Sequence, residues 1–302
     1  MIKRLKYHEI DFEKYAQCLE NSAQRKYSAT KQFLDISSDK KWELLVYKDY
    51  EAVMPVPYVF KSKIKIVHNP MLCQQLGIFS KENDVEINEQ FLSFLEKNYL
   101  IRIYTFNEFN HFKTPLNSKK NFLILPDNYE TVYSKYSPKR KRKLRLDEEV
   151  VKNSEIKNIS FSQAESFIKE NFLGANKEED VDSFISIFKN MFETNCLNFS
   201  AFYLNQRIIN IIVTYFDDFT VALLGTFNDK ESVKVAGSSV LIDRCIERNI
   251  STKIFDFEGS ELPNVEEFFR GFRPELRPYH LIEYSKKDII KKLMSLKFIM
   301  KL

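Results

Sequence analysis

Alternation of apolar and polar positions marks strands along this chain, and the strands come in matched sets. Trp42 to Tyr47, a turn at Lys48-Asp49-Tyr50, and Glu51 to Val59 predict a hairpin. Ser200 to Leu204, the turn Asn205-Gln206-Arg207, and Ile208 to Phe216 predict another. Ile10-Asp11-Phe12-Glu13 and Ile159-Ser160-Phe161-Ser162 each open a helical pattern, and Ser162 with Glu165 fits an S-x-x-E capping box. Leu76-Gly77-Ile78-Phe79-Ser80 is matched by Leu224-Gly225-Thr226-Phe227-Asn228. Helical spacing follows at Asn88 to Lys97 and at Ser239 to Arg248, then strands at Ile101 to Phe106 and Lys253 to Glu258. A last strand closes each half, Asn121 to Leu125 and Tyr279 to Tyr284, and a basic helical segment ends each.

The matches keep one order at offsets near half the chain length. They predict an α+β protein of two similar domains in tandem, residues 1–134 and 135–302. Each is a mostly antiparallel sheet flanked by helices, with one helix crossing between later strands. The C-terminal helix packs back on the first domain in this reading, and a ligand cleft lies between the halves. The alternative is that this order of elements is common and the register between halves is coincidence.

Composition narrows the function. The 302 residues suffice for two ordinary domains, and 44 % hydrophobic residues exclude wholesale disorder. There are 6 glycines where an average chain of this length carries about 21. With no G-x-G-x-x-G and no G-x-x-x-x-G-K-[ST], this argues against a Rossmann fold and a P-loop. Each of Gly77, Gly174, Gly225, Gly237, Gly259 and Gly271 therefore carries information. The 4 cysteines form no C-x-x-C pair and the 4 histidines are isolated, so no metal site is expected. The start of the chain has no apolar signal region, and the thiols read as reduced in a cytoplasm. A net charge of +4 decides nothing by itself.

Five segments carry candidate chemistry. Lys234-Val235-Ala236-Gly237-Ser238-Ser239 precedes a helix. Its unpaired N–H groups and the helix dipole can bind an anion, or Ser238 or Ser239 merely caps the helix. Phe255-Asp256-Phe257-Glu258-Gly259-Ser260 puts two carboxylates on one strand face, as a general base for an amine or as salt-bridge partners. Glu266-Glu267-Phe268-Phe269-Arg270-Gly271-Phe272-Arg273-Pro274 flanks Arg270 with aromatic residues at a glycine turn. An arginine so held can stabilise an oxyanion or grip phosphate, or it simply sits on the surface. Lys139, Arg140, Lys141, Arg142, Lys143 and Arg145 follow Ser137-Pro138, an N-cap with proline at the first helical position. Cations crowded at a helix start repel each other and the dipole, a cost a polyanion would relieve; a solvated lysine run is the plain alternative. Finally, Ile289, Ile290, Leu293, Leu296, Ile299 and Met300 lie at helical spacing among lysines, giving an ordinary domain helix or one that touches an anionic membrane.

Taken together, the hairpins, Phe255 to Ser260 and Phe268-Phe269-Arg270-Gly271-Phe272 resemble the tandem GNAT acyltransferases of the FemABX-like group. Lys234 to Ser239 is similar to the GNAT acyl-CoA loop. The resemblance implies acyl transfer to an amine, with aminoacyl-tRNA or acyl-CoA as donor and a peptidoglycan precursor among the acceptors. It implies that the backbone at Leu224, Gly225 and Thr226 polarises the acyl carbonyl. Lys234, Gly237, Ser238 and Ser239 would hold the donor, Asp256 or Glu258 would take the amine's proton, and Arg270 would face the carbonyl or a donor phosphate. The basic run would meet tRNA, and only the second half would keep the chemistry. A CoA-dependent N-acetyltransferase of a small amine and a non-catalytic protein binding RNA or a membrane surface are the alternatives. The expected place is the cytoplasm, with peripheral contact at the inner membrane face.

Overall fold

The computed structural model describes residues 1–173, 178–259 and 262–299. Gly174, Ser260 and Met300, named above, lie outside the described residues. Two compact units form, one from Met1–Lys119 with the chain from Pro278 onward, the other from Lys120–Arg277. The expected boundary after residue 134 thus falls inside the second unit.

The first unit begins with β1 (Ile2–Leu5), α1 (Phe12–Glu20), α2 (Lys31–Ser38), β2 (Trp42–Tyr47), β3 (Ala52–Lys61) and β4 (Ile64–Val67). β5 (Phe79–Ser80), α3 (Val85–Asn98), β6 (Ile103–Thr105) and β7 (Asn117–Lys119) follow. Strands run in the order β1-β2-β3-β4, with β5 also on β3. The predicted hairpin is β2–β3, in register from Trp42↔Pro57 to Tyr47↔Ala52. Of the segment Leu76–Ser80, matched above to Leu224–Asn228, only the two residues of β5 form a strand.

Glu43, on β2, is a buried charge of this unit. Its carboxylate accepts from Arg4 Nε at 2.8 Å, from Arg4 Nη2 at 2.9 Å, from Tyr99 at 3.2 Å and from Lys65. Burial pushes its pKa up, but the hydrogen bonds from Arg4 and Lys65 outweigh that and hold it below the usual value. A pKa depressed on folding gives stability that is present above the unfolded value and lost as pH falls through the folded one. Thermal melts from pH 7 down to the acid limb should therefore show a shallower loss of stability in Glu43→Gln than in the parent, from a lower starting Tm.

The second unit holds β8 (Phe122–Ile124), α4 (Tyr129–Lys135), α5 (Pro138–Leu144), α6 (Glu148–Asn153), β9 (Ser154–Ile159), α7 (Phe161–Glu170) and α8 (Glu178–Glu193). It continues through β10 (Leu197–Leu204), β11 (Arg207–Phe216), β12 (Thr220–Asn228), α9 (Gly237–Asn249), β13 (Ile254–Asp256), α10 (Pro263–Arg270) and β14 (Glu275–Leu276). The seven strands run β14-β8-β13-β12-β11-β10-β9. All pairs are antiparallel except β12 with β13, which α9 joins as a crossover. Leu241, Ile242 and Ile246 of α9 pack with Ile212, Leu223 and Phe255 of the sheet in the core. The predicted hairpin is β10–β11, and its turn places Asn205 and Gln206 at positive φ. Helix α7 is capped two residues earlier than expected: Ser160, with Gln163, forms the capping box. Glutamine at that third position serves as glutamate would.

The chain returns to the first unit with β15 (Tyr279–Glu283) and α11 (Lys286–Ile299). β15 lies between β6 and β7, whereas β8 lies between β13 and β14. The two strands expected to close their own halves are therefore exchanged. On α11, Lys292 donates to the carbonyl of Tyr99 at 2.7 Å, while Ile290 and Met294 are exposed. Among the described residues, no helix is long and apolar enough to cross a membrane.

Candidate functional site

Helix α5 is built as the sequence predicts. Ser137 caps it, accepting from the Arg140 N–H at 3.1 Å, and Pro138 opens it. The Ser137 N–H bonds the Gly271 carbonyl at 3.0 Å, which ties the helix start to the aromatic turn after α10. The turn's rings then close on Arg140, not Arg270. The Arg140 guanidinium lies 4.2 Å from the ring centroids of both Phe268 and Phe272. Arg140 is 7 % exposed.

Every hydrogen-bond acceptor found for this guanidinium is neutral. One terminal nitrogen donates to Ser239 Oγ, the other to the Phe268 carbonyl at 2.7 Å, and Nε has no partner. Burial pulls the pKa down to about 10, against the weaker upward pull of Tyr136 and Asp243, so the group stays charged at neutral pH. Ser239 lies in the first turn of α9, where the helix dipole adds further positive potential. A buried cation at the positive end of a helix, bonded only to neutral acceptors and drawn by Asp243 without a bond to it, is incompletely balanced.

The balance is open to an anion. Arg140, Gly237, Ser238 and Ser239 line a cleft of about 670 Å³. Lys139, Lys143, Arg270 and Arg273 also line it, against one carboxylate, Glu267. Glu267 is spent on Lys139, at 2.9 Å, and Arg270 pairs with Glu266 at 2.7 Å. Lys143 and Arg273 are exposed and pair with no acidic side chain among the described residues. The basic run, the small-residue loop and the aromatic turn, separate in sequence, thus converge on one cleft whose lining belongs wholly to the second unit.

Gly237 has a different reason to be glycine than ligand approach. A Cβ there would fall 1.9 Å from Asn210 Oδ1 and 3.1 Å from the Phe202 ring. The strained residue is Ala236, at φ 61°. Asn210 donates to Asn228 Oδ1 at 2.8 Å, and Ser238 donates to the same oxygen. Asn210 and Asn228 line the cleft and carry no motif. The one signal available was a lone asparagine inside the apolar run Ile208-Ile209-Asn210-Ile211-Ile212.

The other expected site residues, Arg270 excepted, lie outside this cleft. Asp256 is 2 % exposed and accepts from Asn121 Nδ2 at 3.0 Å and from the Glu258 N–H at 2.8 Å. That second bond fixes a turn in which Glu258 takes φ 58°. Arg270 sits at the rim, its side chain half exposed. Lys234, Lys141, Arg142 and Arg145 do not line the cleft. Lys141 instead donates to the Ser134 carbonyl at 2.7 Å. Leu224, Gly225 and Thr226 follow the point where β12 leaves β13, since the parallel register ends at Ala222↔Asp256. A bulge against β11 coincides with them, between Val213↔Gly225 and Thr214↔Leu223.

No family model and no curated protein matches the sequence. Solved structures do. A crystal structure of FemX superposes with a TM-score of 0.63 at 9 % identity, over 92 % of this chain and 96 % of that one. L-PGS from Bacillus licheniformis gives 0.53 at 12 % identity, over 92 % and 94 %. A tandem GNAT protein from the clavulanic acid biosynthesis pathway gives 0.53 at 10 % identity, over 93 % and 97 %. At these identities the likeness is one of fold, and the mixed α+β class and the tandem GNAT, FemABX-like resemblance expected from the sequence are both borne out.

Proposed function

Starting from the tandem GNAT, FemABX-like fold of this chain, we propose an acyltransferase that moves an aminoacyl or acyl group from a phosphate-bearing donor to an amine. The observation that carries the reading is the buried Arg140 charge, satisfied only by neutral acceptors and open to a cation-rich cleft. A donor phosphate there completes a charge-assisted contact at a helix N-terminus. Aminoacyl-tRNA is the leading donor, because the basic run holds more cations than the cleft takes, with Arg142 and Arg145 outside its lining, and more than one pyrophosphate needs. Acyl-CoA is the second reading, favoured by the start of α9 facing the same cleft at Gly237 and Ser238.

The chemistry is mostly positioning. The amine attacks the acyl carbonyl, a C–N bond forms, the donor's ester or thioester bond breaks, and the amine's proton passes to a carboxylate and on to the leaving group. Backbone N–H groups at Leu224 to Thr226, beyond the point where β12 has left β13, take the developing oxyanion. Asp256 or Glu258, at the mouth of that same parting, takes the proton. The acceptor is an amine, with a cell-envelope precursor as the first to try. The first unit serves binding rather than chemistry, and α11 offers it a peripheral membrane contact.

The test is turnover. Labelled aminoacyl-tRNA and labelled acetyl-CoA are each incubated with the protein and a panel of amines, and amide formation is followed. Amide from aminoacyl-tRNA, lowered by about a hundredfold or more in Asp256→Asn, is the expected result. Amide from acetyl-CoA alone moves the second reading to first. Amide from neither donor overturns the proposal.

A further inference from the structure

Strand β3 outruns its sheet. Its pairing with β2 ends at Trp42↔Pro57, while its pairing with β4 continues from Tyr58↔Val67 to Lys61↔Ile64. Tyr58 to Lys61 and Ile64 to Val67 therefore form a two-stranded ribbon beyond β2. Its inner end is held, with Ile66 and Val67 buried and Val67 bridged to Ile101, so the free part of β3 is Val59 to Lys61, which at about 3.3 Å per residue spans roughly 10 Å. The turn at its tip puts Ser62 and Lys63 at φ 49° and 67°, a left-handed pair made without glycine or asparagine.

The ribbon's surface is unusual for a solvated tip. Phe60 is 56 % exposed and Val59 37 % exposed, on opposite faces. Lys61 and Lys63 are exposed and pair with no acidic side chain among the described residues. Lys65 is different: it bonds Glu43 and stacks on Tyr58, 4.0 Å from the ring centroid, and so belongs to the ribbon's base. Exposed apolar groups ringed by unpaired lysines suit a surface that is apolar beneath and anionic above. A protein partner would call for acidic groups opposite Lys61 and Lys63, but it would not use apolar groups on both faces of a thin ribbon. A lipid headgroup layer accepts both faces at once, and the ribbon's reach matches the 5–10 Å depth of interfacial insertion.

We propose that the β3–β4 ribbon is an insertion finger for anionic membrane surfaces, with Phe60 and Val59 entering the headgroup region and Lys61 and Lys63 meeting lipid phosphates. The finger lies in the first unit and does not depend on the donor cleft of the second. Each lysine near an anionic surface strengthens binding by about fivefold at low salt.

Flotation of the whole protein with vesicles tests this, using phosphatidylcholine alone and phosphatidylcholine mixed with phosphatidylglycerol. The protein should float with the mixed vesicles only, and less at high salt. Phe60→Ser should lower the bound fraction at least fivefold. Lys61→Glu with Lys63→Glu should lower it more than twentyfold. The Tm of both variants should stay near the parent value, since the side chains are exposed. No flotation with the mixed vesicles, or flotation equal in the variants, overturns the proposal. So does a parent that is dimeric without lipid and becomes monomeric in Phe60→Ser, which would make the finger a contact between copies of this chain.

Discussion

Arg140→Met is expected to cut affinity for a phosphate-bearing acyl donor by about a hundredfold while leaving the fold nearly as stable as before. The charged hydrogen bonds of a guanidinium contribute about 1.5–3 kcal/mol each, and 1.4 kcal/mol is tenfold in affinity. Methionine is long and flexible enough to fill the slot between Phe268 and Phe272. It removes a buried charge whose bonded partners are all neutral, a change that is often neutral or stabilising. The Ser239 hydroxyl and the Phe268 carbonyl lose a donor, which sets against this about 1–3 kcal/mol. Paired measurements of Tm and donor affinity separate the two roles. A structural arginine would show a large fall in Tm with little change in binding; a ligand-binding arginine shows the reverse.

The second large effect is on stability. Gly237→Ala should destabilise the second unit by about 1–3 kcal/mol, as overpacking in a tight site does. Its Cβ would fall 1.9 Å from Asn210 Oδ1 and 2.8 Å from Asn210 Cγ, in a buried first turn. The cause is specific, so it can be undone. Asn210→Ala removes the colliding amide at the cost of its hydrogen bond to Asn228. The double variant should then be more stable than the sum of the two single changes by about 1 kcal/mol or more, read as a coupling energy from urea unfolding. Additive single effects would mean that the Gly237 site fails for another reason.

Much of the fold was legible from local chemistry. The hairpins Trp42–Val59 and Ser200–Phe216 announce themselves because alternation and turn residues are properties of a short window. Ser137-Pro138 fixed the start of α5 for the same reason. The exchange of β8 and β15 was not legible. Phe122-Leu123-Ile124 is three apolar residues that satisfy any sheet edge, and only tertiary pairing selects Phe255 and Leu276 as neighbours rather than a strand of the first unit. The site followed the same division. Loop, basic run and aromatic turn each stood out, but that the rings of Phe268 and Phe272 would close on Arg140 depends on a contact spanning 128 residues. Arg270, adjacent in sequence, is turned to Glu266 by helical spacing. Asp256 also reads differently in place: alternation gave its strand face, and its bonds to Asn121 and to the Glu258 N–H give it a structural task beside the proposed chemical one.

The central claim is that the cleft around Arg140 takes the phosphate of an acyl donor. Equilibrium binding of an aminoacylated RNA minihelix, of acetyl-CoA and of inorganic phosphate to the parent and to Arg140→Met tests it most directly. The account predicts saturable binding of at least one acyl donor, weakened about a hundredfold in the variant, with the donor raising the parent's Tm and not the variant's. Binding that is equal in the two proteins, or no binding of either donor by a folded parent, would contradict it.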